Sequence, residues 1–139
     1  MASLKTLINE TLNTMQYDPA RVQVVVSPAT IHIAAAKALL NSGIHVAAQN
    51  CSAFKNGAYT GEVSAEMIKD FDLEWTLIGH SERRKLFGDD NATVAKKVEQ
   101  AVASGLNAIV CVGETLEDRE AGTTNDVLKT QLDAFRGSV

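Results

Sequence analysis

Clustered positive charge is missing from this sequence. The 13 Lys and Arg residues stand against 17 Asp and Glu, for a formal net charge of −4, and no basic tract occurs. That argues against a nucleic-acid partner, which needs a clustered positive face. Long apolar runs are missing as well: none approaches the ~20 residues of a membrane span, so no membrane partner is expected. Met1 to Lys5 leads into a helical pattern, not the apolar stretch of a signal peptide. Cysteine is scarce, with only Cys51 and Cys111, far apart and without metal-ligand spacing. Each follows or ends an apolar strand, so two free thiols in a reducing compartment are expected. The cytoplasm is the expected location. No glycine-rich phosphate loop follows any strand, which disfavours an unrelated open-sheet phosphate binder. No linker or low-complexity segment divides the chain, so residues 1–139 are expected to form one domain.

What remains is an ordinary globular composition, 45% hydrophobic and 22% charged, with clear periodicity. Leu4, Leu7, Ile8, Leu12 and Met15 recur at three and four and predict a helix capped by Ser3. Asp18-Pro19 breaks it. Val22 to Val26 reads as a strand, Thr30 to Asn41 as a helix ended by Gly43, and His45 to Gln49 as a second strand. A long polar loop follows, Asn50 to Gly61, and then a helix over Val63 to Asp70. Trp75 to Ile78 is a third strand, halted at Gly79. Ser81 to Phe87 is a short helix ended by Gly88. Asn91 is expected to cap a longer helix with Val94, Val98, Ala101 and Val102 inward, Ala108 to Val112 to be the fourth strand, and Val127, Leu128, Leu132 and Phe135 to mark a last helix.

A helix followed by four strand–helix units implies a parallel sheet covered by helices, hence an α/β chain. Two architectures share that rhythm: a small open doubly wound sheet, and part of a (β/α)8 barrel. A whole barrel needs ~250 residues and eight strands. Periodicity does not choose between the two. In either one, functional groups gather at the C-terminal ends of the strands. Three such ends are polar: Gln49-Asn50, Gly79-His80-Ser81-Glu82-Arg83-Arg84, and Cys111-Val112-Gly113-Glu114-Thr115. His80 sits between a strand end and a helix start, where the partial positive charge of the helix disfavours the imidazolium. A neutral imidazole can donate to a carbonyl oxygen that gains negative charge during reaction. Glu82, Arg83 and Arg84 nearby supply a charge network able to fix that geometry. Taken alone, a histidine at a strand end is more often structural or exposed than catalytic, and Arg83-Arg84-Lys85 would most often be a solvated helix face.

The run Ile78-Gly79-His80-Ser81-Glu82-Arg83-Arg84 resembles the histidine signature of triosephosphate isomerases. Ala47-Ala48-Gln49-Asn50 with Gly57-Ala58-Tyr59-Thr60-Gly61-Glu62-Val63-Ser64 resembles that family's third barrel loop. Cys111-Val112-Gly113-Glu114-Thr115-Leu116, with Arg119 and Gly122, resembles the stretch after its fifth strand. These blocks follow family order and spacing from about Ser3 to Phe135. The resemblance implies a partial TIM (β/α)8 barrel of about four parallel strands with outer helices, equivalent to barrel strands two to five. The first-strand Asn-x-Lys segment is then expected before Met1, and the sixth-strand glutamate and later phosphate-binding loops after Phe135. Arg136-Gly137-Ser138-Val139 matches nothing in the family pattern.

By resemblance the activity is interconversion of dihydroxyacetone phosphate and glyceraldehyde 3-phosphate, in glycolysis and gluconeogenesis, with no metal and no organic cofactor. Throughout this family a glutamate takes the proton, a neutral histidine polarises the oxygens and a lysine balances the phosphate. His80 is then the electrophile, and Glu82 either holds that lysine or is simply solvated. Asn50 and Glu62 are expected to be scaffold and interface groups. The resemblance also implies a homodimer, with Thr60 at the tip of a loop entering the partner and Glu62 and Arg83 as cross-subunit charges. Asp89 stands where the family usually has glutamate, and its shorter side chain is expected to weaken a supporting ion pair. The chain alone is expected to lack activity and, with two unpaired sheet edges, to self-associate or to be poorly soluble. The alternative is a non-catalytic partial-barrel module that acts by assembling with another chain.

Overall fold

The β-branched runs become four short parallel strands in a computed structural model, which describes residues 1–138; Val139, the last residue of the expected domain, lies outside them. The strands are β1 (Val24–Val26), β2 (Ile44–Ala48), β3 (Trp75–Ile78) and β4 (Asn107–Val110). Their order in the sheet is β1-β2-β3-β4. Val24 pairs with Ile44, Ala47 with Trp75, and Trp75 with Asn107. That order decides between the two architectures. A doubly wound sheet reverses its strand order at a switch point and carries helices on both faces. Here the strands run in chain order and the helices cover one face, which is the winding of a (β/α)8 barrel, half of it present.

Alternation along the strands sets which face is covered. Val46, Ala48 and Ile78 join Ile33, Ile68, Val94 and Val98 in the core, with Val26, Ala108 and Val110 packed against them. Val25, Leu77 and Ile109 lie on the other face and stay partly open. The covering helices are α2 (Ile33–Leu39), α3 (Ala65–Asp70) and α5 (Asn91–Ala103), with α7 (Thr124–Phe135) against α5 and α1 (Ala2–Glu10) against α2. The inter-strand helix after β3 is split: α4 (Ser81–Phe87) ends at Gly88, whose φ of 73° is a left-handed position natural to glycine, and α5 starts three residues later.

Several local expectations are corrected. Ser3 lies inside α1, whose N-cap is Met1 with no side-chain cap, and only Ile8 of its stripe is buried; Leu7 is 50% exposed. Val22 precedes β1, and β4 stops at Val110, before Cys111 and Val112. Helix α3 begins after Val63 because Ser64 caps it, its Oγ accepting from the Met67 N–H at 3.0 Å. Asp90, not Asn91, caps α5, through the Thr93 N–H at 2.7 Å. The inward stripe of α5 contains Lys97 in place of Val102, which is 44% exposed. A short helix, α6 (Leu116–Glu120), was not anticipated. Thr115 and Asp118 start it with a reciprocal capping box. Among the described residues no helix is long and apolar enough to cross a membrane.

Candidate active site at the C-terminal strand ends

Parallel pairing brings the polar ends of β1, β2 and β3 to one mouth. Gln49 Nε2 donates to the Ser27 carbonyl at 3.0 Å and ties the first two ends together. A cavity of about 480 Å³ opens there, lined by Ser27, Gln49, Asn50, Glu62, His80, Glu82 and Arg83 among others. Thus His80 and Glu82 meet at the mouth, as do Glu62 and Arg83, whereas Thr60 stands exposed on the loop before them.

His80 is the N-cap of α4. Its Nδ1 accepts the Glu82 backbone N–H at 3.3 Å. The Glu82 carboxylate also lies 3.6 Å from Nδ1. These contacts ask for opposite tautomers, because an amide N–H needs a lone pair on Nδ1 and a carboxylate needs a proton there. The carboxylate is beyond hydrogen-bond range and its side chain is 75% exposed, so the amide prevails. The lone pair then sits on Nδ1 and the neutral ring carries its proton on Nε2. With 45% of its side chain accessible, His80 lines the cavity. Glu82 pairs with no lysine or arginine among the described residues.

Beneath the mouth is a charge cluster that the sequence did not announce. Lys97 Nζ donates to Asp89 Oδ2 at 2.6 Å and to Asn50 Oδ1 at 3.0 Å, and Arg83 Nε donates to the same Asp89 oxygen at 2.9 Å. The Lys97 and Asp89 side chains are only 4% and 6% exposed. Arg83 also lies over the Phe87 ring, 4.9 Å from its centroid. Short as it is, the side chain at position 89 reaches both cations. Asn50 is bound into this scaffold, and Cys51 beside it donates Sγ–H to the Lys97 carbonyl at 3.7 Å. Burial pushes the Cys51 thiol up to about 11, with Lys97 opposing it, and both cysteines are free. Position could have revealed Lys97: it lies three residues after Val94 and four before Ala101, on the apolar stripe.

Burial alone would raise the Asp89 carboxyl, but hydrogen bonds and charge from Arg83 and Lys97 outweigh it and hold the group below the ordinary carboxylate range. A depressed folded-state value means that the unfolded chain binds more protons, so stability rises with pH through that window. The contribution is complete above about pH 4, the unfolded value, and is lost as pH falls through the lower folded value. Urea unfolding from pH 7 to pH 2.5 should show this loss. Asp89→Asn should be less stable at pH 7 and have a flatter pH profile; an unchanged slope would rule out Asp89 as the source.

The loop after β2 is held by its own contacts. Ser52 N–H donates to the Val63 carbonyl at 2.8 Å, Asn56 N–H to Glu66 Oε2 at 3.0 Å, and Phe54 stacks on Tyr59 at 4.6 Å. At the end of β4, Gln131 of α7 exchanges two 2.9 Å hydrogen bonds with the Gly113 backbone, and Arg119 lies 3.4 Å from Glu114.

Fold and site together define half of a (β/α)8 barrel with an imidazole at the C-terminal ends of its strands. The family model described as triosephosphate isomerase matches residues 1–138. The chain belongs to the triosephosphate isomerase family. It is 46% identical over 134 residues to the triosephosphate isomerase of Paracoccidioides lutzii, covering 96% of this chain and 53% of that protein. It is 51% identical over 114 residues to the cytosolic enzyme of Oryza sativa subsp. japonica, covering 82% and 45%. The glycosomal enzyme of Trypanosoma cruzi is 50% identical over 133 residues, covering 95% and 52%. The chain thus spans about half the length of the curated relatives it matches.

Proposed function

We propose that this chain supplies the electrophilic half of an aldose–ketose isomerase that interconverts dihydroxyacetone phosphate and glyceraldehyde 3-phosphate, in glycolysis and gluconeogenesis and without a metal or organic cofactor. One observation carries the reading: the Glu82 amide donates to Nδ1 of His80, which leaves Nε2 to hold the proton of a neutral ring that lines the mouth. As a proton leaves the carbon next to the substrate carbonyl, negative charge grows on the oxygen. A fixed donor stabilises that charge more than it stabilises the ground state. Glu82, exposed at the same mouth, is the group that would hold the family's substrate lysine. The base and that lysine match no position in these 139 residues and would come from elsewhere in the enzyme.

The same reading makes the enzyme a homodimer. Thr60 would enter the partner, Glu62 would carry a cross-subunit charge, and Arg83 would be shared between that charge and Asp89. The cytoplasm is the proposed compartment, although the two relatives named by location are one cytosolic and one glycosomal. The outer edges of β1 and β4 pair with no strand among the described residues, which also fits a non-catalytic module that assembles with another chain.

A coupled isomerase assay separates the readings. The 139-residue chain alone is expected to show no turnover at saturating substrate, since lack of a general base alone costs on the order of 10²–10⁴ in rate. Residues 2–135 grafted in place of the matching segment of the Trypanosoma cruzi relative are expected to turn over within about tenfold of that enzyme, a loss of ~1.4 kcal/mol. A folded, inactive graft would favour the non-catalytic module.

A further inference from the structure

Gly79 O is the first carbonyl of β3 beyond the sheet ladder, whose last bond here runs from Cys111 N–H to Ile78 O at 2.8 Å. A carbonyl at that point has no ladder partner and needs another donor. Arg84, five residues later on α4, folds back to provide it, with Nε donating to Gly79 O at 2.8 Å. The rest of the fork reaches two other elements: Nη1 donates to Asn91 Oδ1 of α5 at 2.8 Å, and Nη2 to the Cys111 carbonyl beyond β4 at 3.4 Å. No carboxylate lies within ion-pair distance of Arg84 among the described residues. Its contacts are therefore geometric ones to neutral acceptors, which a planar guanidinium makes and an ammonium does not.

Gly79 has little room to answer otherwise. Its φ is +72°, and a Cβ there would meet Arg84 Nη2 at 3.1 Å, Cys111 O at 3.2 Å and Val94 Cγ1 at 3.2 Å. The peptide that leads into His80 is thus gripped on one side by the fork and walled in by its neighbours. We propose that Arg84 is a positioning residue for His80, holding the Gly79 carbonyl and so fixing the peptide from which the imidazole reaches the mouth. The proposal rests on the electrophile reading of His80. The plainer account is that Arg84 only staples β3, β4 and α5 together.

Arg84→Lys keeps the charge and loses the fork. Val98→Ala, buried in the core and not among the nearest neighbours of Gly79, serves as a comparator that lowers melting temperature. In the grafted barrel, Arg84→Lys is expected to reduce kcat by about 10- to 100-fold, because misplacement by an ångström is enough for that, with KM within about twofold. In the ¹⁵N-labelled 139-residue chain the His80 ring signals should leave the Nε2–H pattern in Arg84→Lys and keep it in Val98→Ala. A melting temperature lowered in both variants, with kcat and ring signals unchanged in Arg84→Lys, would overturn positioning in favour of the staple. If the graft with native Arg84 is inactive, the electrophile reading fails, and the ring signals alone decide what Arg84 does.

Discussion

Replacing His80 by asparagine in the grafted barrel should cut kcat by on the order of 10²–10³-fold, the usual loss for one preorganised oxyanion donor, while KM stays within a few-fold. Asparagine separates the two tasks of this residue. The side chain caps α4 through the Glu82 N–H, and in the proposed reaction it offers Nε2–H to the substrate oxygen. Asparagine is a good N-cap, so its oxygen can keep the first task, but its amide ends too early to perform the second. His80→Ala loses both. The two variants should therefore share the kinetic loss, while only alanine adds a stability loss of about 1 kcal/mol for the missing cap. A drop confined to alanine would mean that the imidazole acts as a cap alone. A Glu82→Gln graft should retain the His80 geometry, since the bond to Nδ1 comes from the Glu82 backbone.

That His80 is a candidate could be read from its place between Gly79 and a helix start. Which of its nitrogens accepts a hydrogen bond could not, because the answer lies in an amide two residues on. The strands were legible for a similar reason. Val24 to Val26 and Trp75 to Ile78 are β-rich runs, and strand burial depends on local alternation. Their order was not legible in the periodicity, because nothing local in Val25 records that its neighbour is His45 on the next strand; only the family resemblance implied it. The short α6 escaped because five residues show no period; Thr115 followed by Asp118 was the only sign. Arg83 and Arg84 looked like a solvated face because arginine usually is one, yet one grips Asp89 and the other Gly79 O.

Lys97 went unnoticed in the sequence because lysine is usually exposed, and its replacement should show the larger stability effect. Lys97→Met keeps the length and apolar stem but removes the ammonium. Asp89, 6% exposed, would be left with Arg83 alone, and Asn50 Oδ1 would lose its donor. Breaking a buried pair from one side typically costs about 3–5 kcal/mol, because the remaining charge is still out of water. Lys97→Met should lose stability of that order in urea at pH 7. Removing both charges is a different experiment. In Lys97→Met with Asp89→Leu no anion is buried, and Arg83, 29% exposed, can turn toward solvent. The double variant should then recover a large part of the loss, with a coupling of about 0.5–3 kcal/mol between the two sites. Acid provides an independent check. Below the depressed folded value Asp89 is neutral in both chains, so the gap between Lys97→Met and the unsubstituted chain should narrow as pH falls toward 2.5. A gap that stays constant with pH, together with additive single losses, would assign the cost to the packing of the Lys97 stem and leave the ion pair with no measurable part in holding α5 to the strand ends.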